Sequence, residues 1–499
     1  MESAFGPFEP AFPSQARRNR DHLAAAVQLG APSSMWQPLF RAESEPLLRR
    51  AQPQCGKTDS MGQTILYEGH NLTHNGAAGI ATYAKNVAVS ARALGYATKV
   101  LVGSSKALPR KDPVFSEVSE VWFYDARSAK RPSMYAALVL PGLFGKPFGI
   151  RPVEFRSRKV VVGPSPNLSD FETILAAPYL MHVTRLHFIR YKHRAFLNLD
   201  SSPTIFHATQ PMPLKARKCP NLYTIHDLVP LRLPYATLDN KKYFFQLVRH
   251  LCKKADHIVT VSECSKQDII RFFGISEDRI TNTYQAVEIP DELTASNEDK
   301  LAAELRQAFD LGYKEYFLFC GAIEPKKNVS RLVDAYAASG TPHPLVIAGG
   351  LGWQYEIDVE KIQDERFLSY RMDKRRIIPE RRVRRFDYLP FAQLVSLIRG
   401  ARALLFPSLY EGFGLPVLEA MQLGTPVMTS NTSSLPEITG DAAFLVDPLN
   451  IDAMAGAIRV IDQDAELRAE LSAKGRERAK LFSPEIYQKR LADLYRRVF

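Results

Sequence analysis

Short apolar runs alternate with amphipathic helical stretches along most of the chain. The run TILYEG (residues 64–69) is followed by apolar residues at helical spacing from Ile80 to Leu94, and then by a second run, ATKVLVG (97–103). This order of strand, helix and strand predicts a parallel sheet covered by helices. Further strand-like runs continue the pattern: RKVVVG (158–163), PTIFHAT (203–209), NLYTIHD (221–227) and HIVTVS (257–262).

A second series of strand-like runs begins after a polar helical segment at residues 297–314. Helical stretches at 329–339, 391–400 and 416–423 separate several of its members, as a doubly wound sheet requires. The runs are YFLFCG (316–321), PLVIAGG (344–350), VRRFDYLP (383–390), ALLFPS (403–408), TPVMTS (425–430) and AFLVDP (443–448).

We therefore predict an α/β protein with two Rossmann-like, doubly wound domains at residues 61–305 and 306–480. A closing amphipathic helix is expected at 481–499, where Ile486, Leu491, Leu494 and Tyr495 form one stripe. Residues 1–60 are rich in Pro, Ser, Ala, Gln and Arg, which predicts a largely disordered extension.

Composition narrows the class of protein without selecting a ligand. No run reaches the length of a membrane-spanning helix and no signal-peptide pattern opens the chain, so we expect a cytoplasmic protein. Five scattered cysteines predict neither a disulfide framework nor a zinc site. A formal charge of +12 predicts an anionic partner: nucleic acid, a phosphorylated small molecule or a membrane surface.

The stretch LYEGFGLPVLEAMQLGTPV (409–427) carries two glutamates, Glu411 and Glu419, around a Gly-rich turn. The turn joins a predicted strand to a predicted helix, at the sheet edge where α/β proteins bind ligands. Glycines allow close backbone approach and a helix N-terminus attracts phosphate, whereas carboxylates accept hydrogen bonds from vicinal hydroxyls. Each glutamate alone fits a solvated helix-end charge, but together they indicate a nucleotide-sugar.

Longer stretches carry a family resemblance. SLYEGFGLPVLEAMQLGTPV (408–427) and SSLPEITGDAAFLVDP (433–448) resemble the signature of family 4 retaining glycosyltransferases, in which the E-x7-E pair is the hallmark. FLFCGAIEPKKNVSRLVDAY (317–336), NLYTIHDLVPL (221–231) and HIVTVSECSKQDI (257–269) extend it. The resemblance implies the GT-B fold: an acceptor-side N-terminal domain that faces a nucleotide-sugar-binding C-terminal domain across a cleft.

The resemblance also implies roles for individual residues. Glu411 would contact the hydroxyls of the transferred sugar, and Glu419 the nucleotide ribose. Lys327 would hold the diphosphate and stabilise the leaving group, beside Lys326, which stands where arginine is commoner. Further donor contacts would come from the Gly-rich loop at Gly76 and Gly79 and from the backbone of Gly412, Phe413, Gly414 and Leu415.

Two histidines follow predicted strands. His226 would contact the donor near the reacting sugar, according to the resemblance, whereas the residues alone favour a core histidine. His207 has the weaker claim. Asp227 would either position His226 or cap the following loop. The expected catalytic residues are therefore Glu411, His226 and Lys327.

Other charged stretches have simpler explanations. Asp462 and Asp464 have the spacing of a metal-binding Asp-x-Asp pair, but they end a predicted helix, so we expect helix-end charges and no metal. The basic stretches at 190–194 and 371–385 lack any nucleic-acid-binding signature, which leaves a solvated face or an anionic bilayer surface. Asp387 stands where the family often has Gly, and the stretch 371–385 is longer than the family's usual connection. Both lie where the family holds the nucleotide base, so the identity of the base stays open.

The expected function is transfer of a hexose from a nucleoside-diphosphate sugar to a hydroxyl of a glycan or lipid-linked saccharide, as in cell-surface polysaccharide biosynthesis. The resemblance implies retention of configuration, no cofactor and no metal, and it leans towards GDP-mannose. Two alternatives stay open. One is a phosphorylase or sugar-nucleotide epimerase of the same fold, and the other is a polyanion- or membrane-binding protein on a non-catalytic GT-B scaffold.

Overall fold

The computed structural model describes residues 62–73, 79–104, 149–156, 168, 171–373 and 376–498. These residues form two sheets, dominated by parallel strands and accompanied by helices, so the predicted two-sheet α/β fold is confirmed. The predicted disordered extension at 1–60 and the predicted strand at 158–163 lie outside the described residues.

The first sheet has the strand order β10-β9-β8-β6-β1-β2-β4-β3, in which only the β3–β4 pair is antiparallel. Its strands, with the short pair β5 and β7 beside it, are β1 Thr64–Glu68, β2 Ala97–Ser104, β3 Val153–Arg156, β4 Thr173–Pro178, β5 Ala195–Leu197, β6 Ile205–Ala208, β7 Leu214–Ala216, β8 Asn221–Thr224, β9 His257–Thr260 and β10 Ile280–Asn282.

The second sheet is fully parallel in the order β15-β12-β11-β16-β17-β18, and an antiparallel hairpin of β13 and β14 stands apart from it. Its strands and the hairpin are β11 Phe317–Cys320, β12 Leu345–Ala348, β13 Leu368–Asp373, β14 Arg376–Arg381, β15 Val383–Phe386, β16 Ala403–Phe406, β17 Val427–Ser430 and β18 Phe444–Val446.

Helices connect the strands, and most occur where the periodicity predicts them. The predicted helix at 416–423 begins one residue earlier, because Gly414 takes the N-cap position and Pro416 lies in the first turn. The helices are α1 Gly79–Ala93, α2 Leu180–Tyr191, α3 Val229–Arg232, α4 Lys241–Lys254, α5 Glu263–Phe273, α6 Asp291–Thr294, α7 Glu298–Phe309, α8 Val329–Ser339, α9 Glu356–Ile362, α10 Phe391–Gly400, α11 Leu415–Gln422, α12 Leu435–Thr439, α13 Ile451–Gln463, α14 Ala465–Ala479 and α15 Pro484–Val498.

Helix α15 packs against the first sheet, not the second. The Tyr495 hydroxyl lies 2.7 Å from the Tyr67 hydroxyl and 3.0 Å from His207 Nδ1, in the core. The predicted stripe is confirmed for Leu491, Leu494 and Tyr495, but Tyr487 is buried where Ile486 is only half-buried. Tyr487 lies four residues before Leu491 and therefore on the same helix face. None of the helices within the described ranges is long and apolar enough to span a bilayer.

Strand order identifies where each sheet can bind a ligand. In the second sheet the chain builds outward from β11 to β12 and β15, then returns to start again at β16 on the other side of β11. The loops after β11 and β16 therefore diverge at a topological switch point, which leaves a crevice at the carboxyl edge. The first sheet has the same kind of switch between β1 and β6.

Candidate active site

The loops after β11 and β16 bring Lys327 and Glu411 into direct contact. Lys327 Nζ donates to Glu411 Oε1 at 2.6 Å, and Lys326 Nζ lies 3.7 Å from Glu411 Oε2. Burial alone would raise the pKa of Glu411, but the two lysine charges outweigh it and lower the pKa to about 2. Glu411 is therefore ionised at any physiological pH, and a charged acceptor stands beside two ammonium groups.

Lys326 and Lys327 have different surroundings: carboxylates surround Lys326, whereas Lys327 also contacts an aromatic ring. Burial opposes the charge on Lys326, yet the nearby carboxylates, Glu411 first, raise its pKa above the usual value. Lys327 is buried and its ammonium lies 4.7 Å from the centre of the Phe406 ring, a cation–π contact. Both lysines carry their charge into a largely desolvated crevice, where an anion is attracted strongly.

Glu324 is a member of this cluster that the sequence reasoning missed. It is buried, and its Oε1 lies 3.4 Å from Lys326 Nζ. Burial raises the pKa of Glu324, against the opposing effect of both lysines. The acid immediately before the PKK tripeptide was the available signal, and the contact shows that it helps to orient Lys326.

Glu419 has the opposite environment to Glu411. It lies on α11 and is half-buried, and none of the described residues places a cation or a hydrogen-bond donor against its carboxylate. Burial raises the pKa of Glu419 to about 7. An acceptor without a cation suits neutral donors such as hydroxyls and does not suit phosphate.

We expect Glu419→Gln to raise the stability of the protein above neutral pH. The folded-state pKa of Glu419, about 7, exceeds the ordinary value of 4.5 for a glutamate, so the folded state favours the protonated form. The free energy of unfolding therefore falls as the pH rises from about 4.5 to above about 7, by up to about 3 kcal/mol. Glutamine cannot ionise, so the variant should have the higher thermal midpoint at pH values above the window and lose that advantage below it.

Thermal melts across this pH range measure the effect. Glu288→Gln, at an exposed position, is the matched control and should leave the midpoint unchanged throughout. A Glu419→Gln protein with the wild-type midpoint at every pH would contradict the assignment of a destabilising buried carboxyl.

A glycine conformation and hydrogen bonds from Ser434 hold the Gly-rich turn between β16 and α11 in place. Gly414 adopts a φ of 108°, which favours glycine. Ser434, a second residue that the sequence reasoning missed, donates from Oγ to the carbonyls of Glu411 at 3.0 Å and Phe413 at 2.9 Å. The side chains of Phe413 and Leu415 are buried, so these residues can offer a ligand only their backbone.

His226 follows β8 at the carboxyl edge of the first sheet, and its ring packs edge-on against Tyr83. Its Nε2 lies 2.9 Å from the Thr209 carbonyl, which can only accept, so Nε2 carries the proton and Nδ1 is an acceptor. Burial lowers the pKa of His226, so the ring is neutral at pH 7. Asp227 accepts from the Val229 amide at 3.0 Å and thus caps the following turn.

The parts of the chain that carry the first and the second sheet approach each other at two glycines. A Cβ atom at Gly412 would lie 2.7 Å from the His226 carbonyl oxygen, and one at Gly79 would lie 3.2 Å from the Leu415 side chain. Glycine at position 412 therefore permits direct contact between the two loops. Gly76 lies outside the described residues.

A buried polar contact also joins the halves next to Glu411, and its residues were not anticipated. The Tyr410 hydroxyl donates to Asp268 Oδ2 at 2.5 Å, and Arg232 donates to both oxygens of Asp268, at 2.9 and 2.7 Å. Since Tyr410 precedes Glu411, this contact ties the position of the carboxylate to that of the first sheet.

Two expectations change with the structure. His207 is fully buried between Tyr495 and Thr224, and burial lowers its pKa to about 3, so it is a core residue. Asp464 caps α14, as predicted for a helix-end charge, but Asp462 does not fit that description. It is buried, and Arg402 Nε lies 2.6 Å from it.

The described residues contain no group of three or more His, Cys, Asp or Glu able to hold a metal ion. The expected metal independence stays a prediction. What the crevice does offer is a pair of cations, an ionised carboxylate, a neutral histidine and an uncompensated carboxyl.

Two family models match the chain. Residues 303–478 match glycosyl transferases group 1, and residues 151–289 match glycosyltransferase family 4. The O-antigen chain mannosyltransferase B of Escherichia coli is 32% identical over 314 residues, which span 62% of this chain and 77% of that protein. The serotype-specific mannosyltransferase WbdA of Escherichia coli is 28% identical over 268 residues, 52% of this chain and 31% of WbdA.

A solved structure shows the same architecture. HepE of Anabaena, in complex with UDP and glucose, is similar with a TM-score of 0.58 at 14% identity, over 87% of this chain and 99% of HepE. At that identity the likeness concerns the fold alone.

Proposed function

This chain belongs to the family 4 glycosyltransferases, and from that premise we propose that it transfers mannose, with retention of configuration, from GDP-mannose to a hydroxyl of a glycan or lipid-linked saccharide in cell-surface polysaccharide synthesis. The observation that carries the proposal is the contact of Lys327 and Lys326 with Glu411 at the switch point of the second sheet. The names of the mannosyltransferase relatives support the choice of sugar.

The proposed roles follow from the charges. Lys327 and Lys326 stabilise the diphosphate as it leaves with additional negative charge, in a site that excludes water. Glu411 accepts hydrogen bonds from sugar hydroxyls, and Glu419, which lacks a cation, accepts from the ribose. His226 offers the unprotonated Nδ1 to a donor hydroxyl. The acceptor attacks from the face that the diphosphate leaves, and a phosphate oxygen takes its proton.

No metal takes part in the proposed reaction, because the two lysines supply the positive charge next to the diphosphate. The proposed compartment is the cytoplasm, at the inner face of a membrane that carries the acceptor. The four cysteines that the structure describes form no disulfide bond. This supports the proposed compartment, because thiols stay reduced in the cytoplasm.

Product analysis tests this proposal. Purified protein, GDP-mannose and a mannose-terminated acceptor should yield an α-linked product by NMR, with the same rate in the presence of a chelator. Release of mannose 1-phosphate in place of the glycoside would identify a phosphorylase. A folded protein that transfers sugar from none of the common nucleoside-diphosphate donors would contradict the proposal.

We expect GDP to raise the thermal midpoint more than UDP, ADP or dTDP does, because a ligand of the folded state stabilises it in proportion to the logarithm of its concentration over Kd. In Glu419→Gln, GDP should bind up to about tenfold more weakly, since glutamine replaces one of the two carboxylate oxygens, both acceptors, with an NH2 donor. Mannose 1-phosphate, which has no ribose, should bind both proteins equally. Equal GDP affinity in the two proteins would remove Glu419 from the ribose site.

A further inference from the structure

The hairpin of β13 and β14 carries three apolar residues on one face. Among the strands that the structure describes, these two pair with each other alone, and Met372 lies directly opposite Ile377 in the antiparallel register. Tyr370 precedes Met372 by two positions, and residues two apart on a strand point to the same side. Tyr370, Met372 and Ile377 therefore share one side, which we call the hairpin face.

All three side chains of the hairpin face are exposed to solvent. The exposed fractions are 67% for Tyr370, 73% for Met372 and 68% for Ile377. Single exposed apolar residues are ordinary, but a contiguous group on one face of a hairpin is typical of an interaction site. Neighbouring Phe367 is buried, so the hairpin has an anchored base and an apolar outer part.

The sequence around the hairpin face is strongly basic. Residues 371–385 contain eight Arg or Lys and two acidic residues. Two of the arginines are neutralised within the fold, since Arg384 lies 2.7 Å from Glu380 and Arg385 lies 3.0 Å from Asp387. The remainder gives the hairpin an excess of positive charge.

We propose that the hairpin face docks on an anionic lipid bilayer. Tyr, Met and Ile side chains can enter the boundary between headgroups and acyl chains, while the net positive charge of the stretch 371–385 is attracted to the lipid phosphates. A second copy of this chain is a poor occupant, because two basic hairpins repel each other. A nucleic acid would use the cations but leave the apolar side chains in water.

This surface serves the proposed transferase, since it would bring the enzyme to a membrane that carries the acceptor. The docking is measured without donor or acceptor. Its failure would therefore leave the transferase proposal standing, and a failure of sugar transfer would leave the docking result standing.

The test compares binding of the full chain to vesicles with and without phosphatidylglycerol in phosphatidylcholine. We expect binding to the anionic vesicles only, weakened by salt. The double variant Met372→Ser/Ile377→Ser should bind at least about tenfold more weakly, because the buried apolar area is lost. Arg376→Gln/Arg381→Gln should weaken binding by a similar factor through the charge.

Leu449→Ser is the matched control, because Leu449 is also an exposed apolar residue, at 62%, outside the hairpin. It should bind vesicles like the wild type, and all variants should keep the wild-type thermal midpoint. The proposal is overturned if the wild type does not bind anionic vesicles, or if the serine double variant binds as tightly as the wild type. A loss of self-association in that variant would instead assign the face to an interface between copies.

Discussion

Lys327→Met should lower kcat by roughly a hundred- to a thousandfold, the usual cost of removing one group that stabilises developing charge in a transition state. Methionine keeps most of the side-chain volume against Phe406, so the change removes the ammonium and little else. Of its two lysine partners, Glu411 would retain Lys326, at 3.7 Å. Steady-state kinetics with the identified donor measure the effect.

Lys361→Met is the control for this substitution. Lys361 also pairs with a carboxylate, that of Asp334, but it lies on α9 and outside the crevice. We expect a normal kcat for that protein. A folded Lys327→Met enzyme with the wild-type kcat would exclude Lys327 from leaving-group stabilisation, and a fall in donor affinity alone would restrict it to binding.

Gly412→Ala should lower kcat/KM by about a hundredfold, because a misplacement of about 1 Å at the reacting groups has that cost. The added Cβ would meet the His226 carbonyl oxygen at 2.7 Å, and a main-chain atom at the end of a buried strand cannot turn away. Gly412 does not have a positive φ, so the effect is steric and not one of backbone strain.

The matched substitution is Gly456→Ala. Gly456 lies within α13, where an added Cβ meets no atom within 4 Å, and alanine favours helix by up to about 1 kcal/mol. That protein should be fully active and slightly more stable. Normal kcat/KM in a folded Gly412→Ala enzyme would show that the close approach of the two loops is not required for transfer.

Several features of the site were predictable because they depend on local pattern. The strand β16, the turn at Gly412–Gly414 and the helix after it follow from hydrophobic periodicity and from Gly and Pro at fixed offsets. The alternation of strands and helices then predicts parallel sheets, and parallel sheets bind ligands at their carboxyl edge. The placement of Glu411 and Lys327 at one edge follows from this reasoning.

Other features required contacts between distant parts of the chain. Asp462 was predicted to be a solvated helix-end charge, but the fold brings Arg402 and Thr341 to it and buries it. Tyr410 and Asp268 are 142 residues apart, and no motif connects them. Glu324 was overlooked although it lies two residues from Lys326, because an acid next to lysines is common in exposed loops and only the fold buries it.

Local patterns of residues set the elements, their order and the loops that carry the candidate chemistry, because each depends on residues within a few positions of one another. The charge and burial of the side chains in those loops depend on contacts that form when the chain folds. Lys327 and Glu411, 84 residues apart, become an ion pair in a buried crevice, while Glu419 is left without a cation. A pKa depends on burial and on neighbouring charges in space, and the spacing of residues along the chain predicts neither of them.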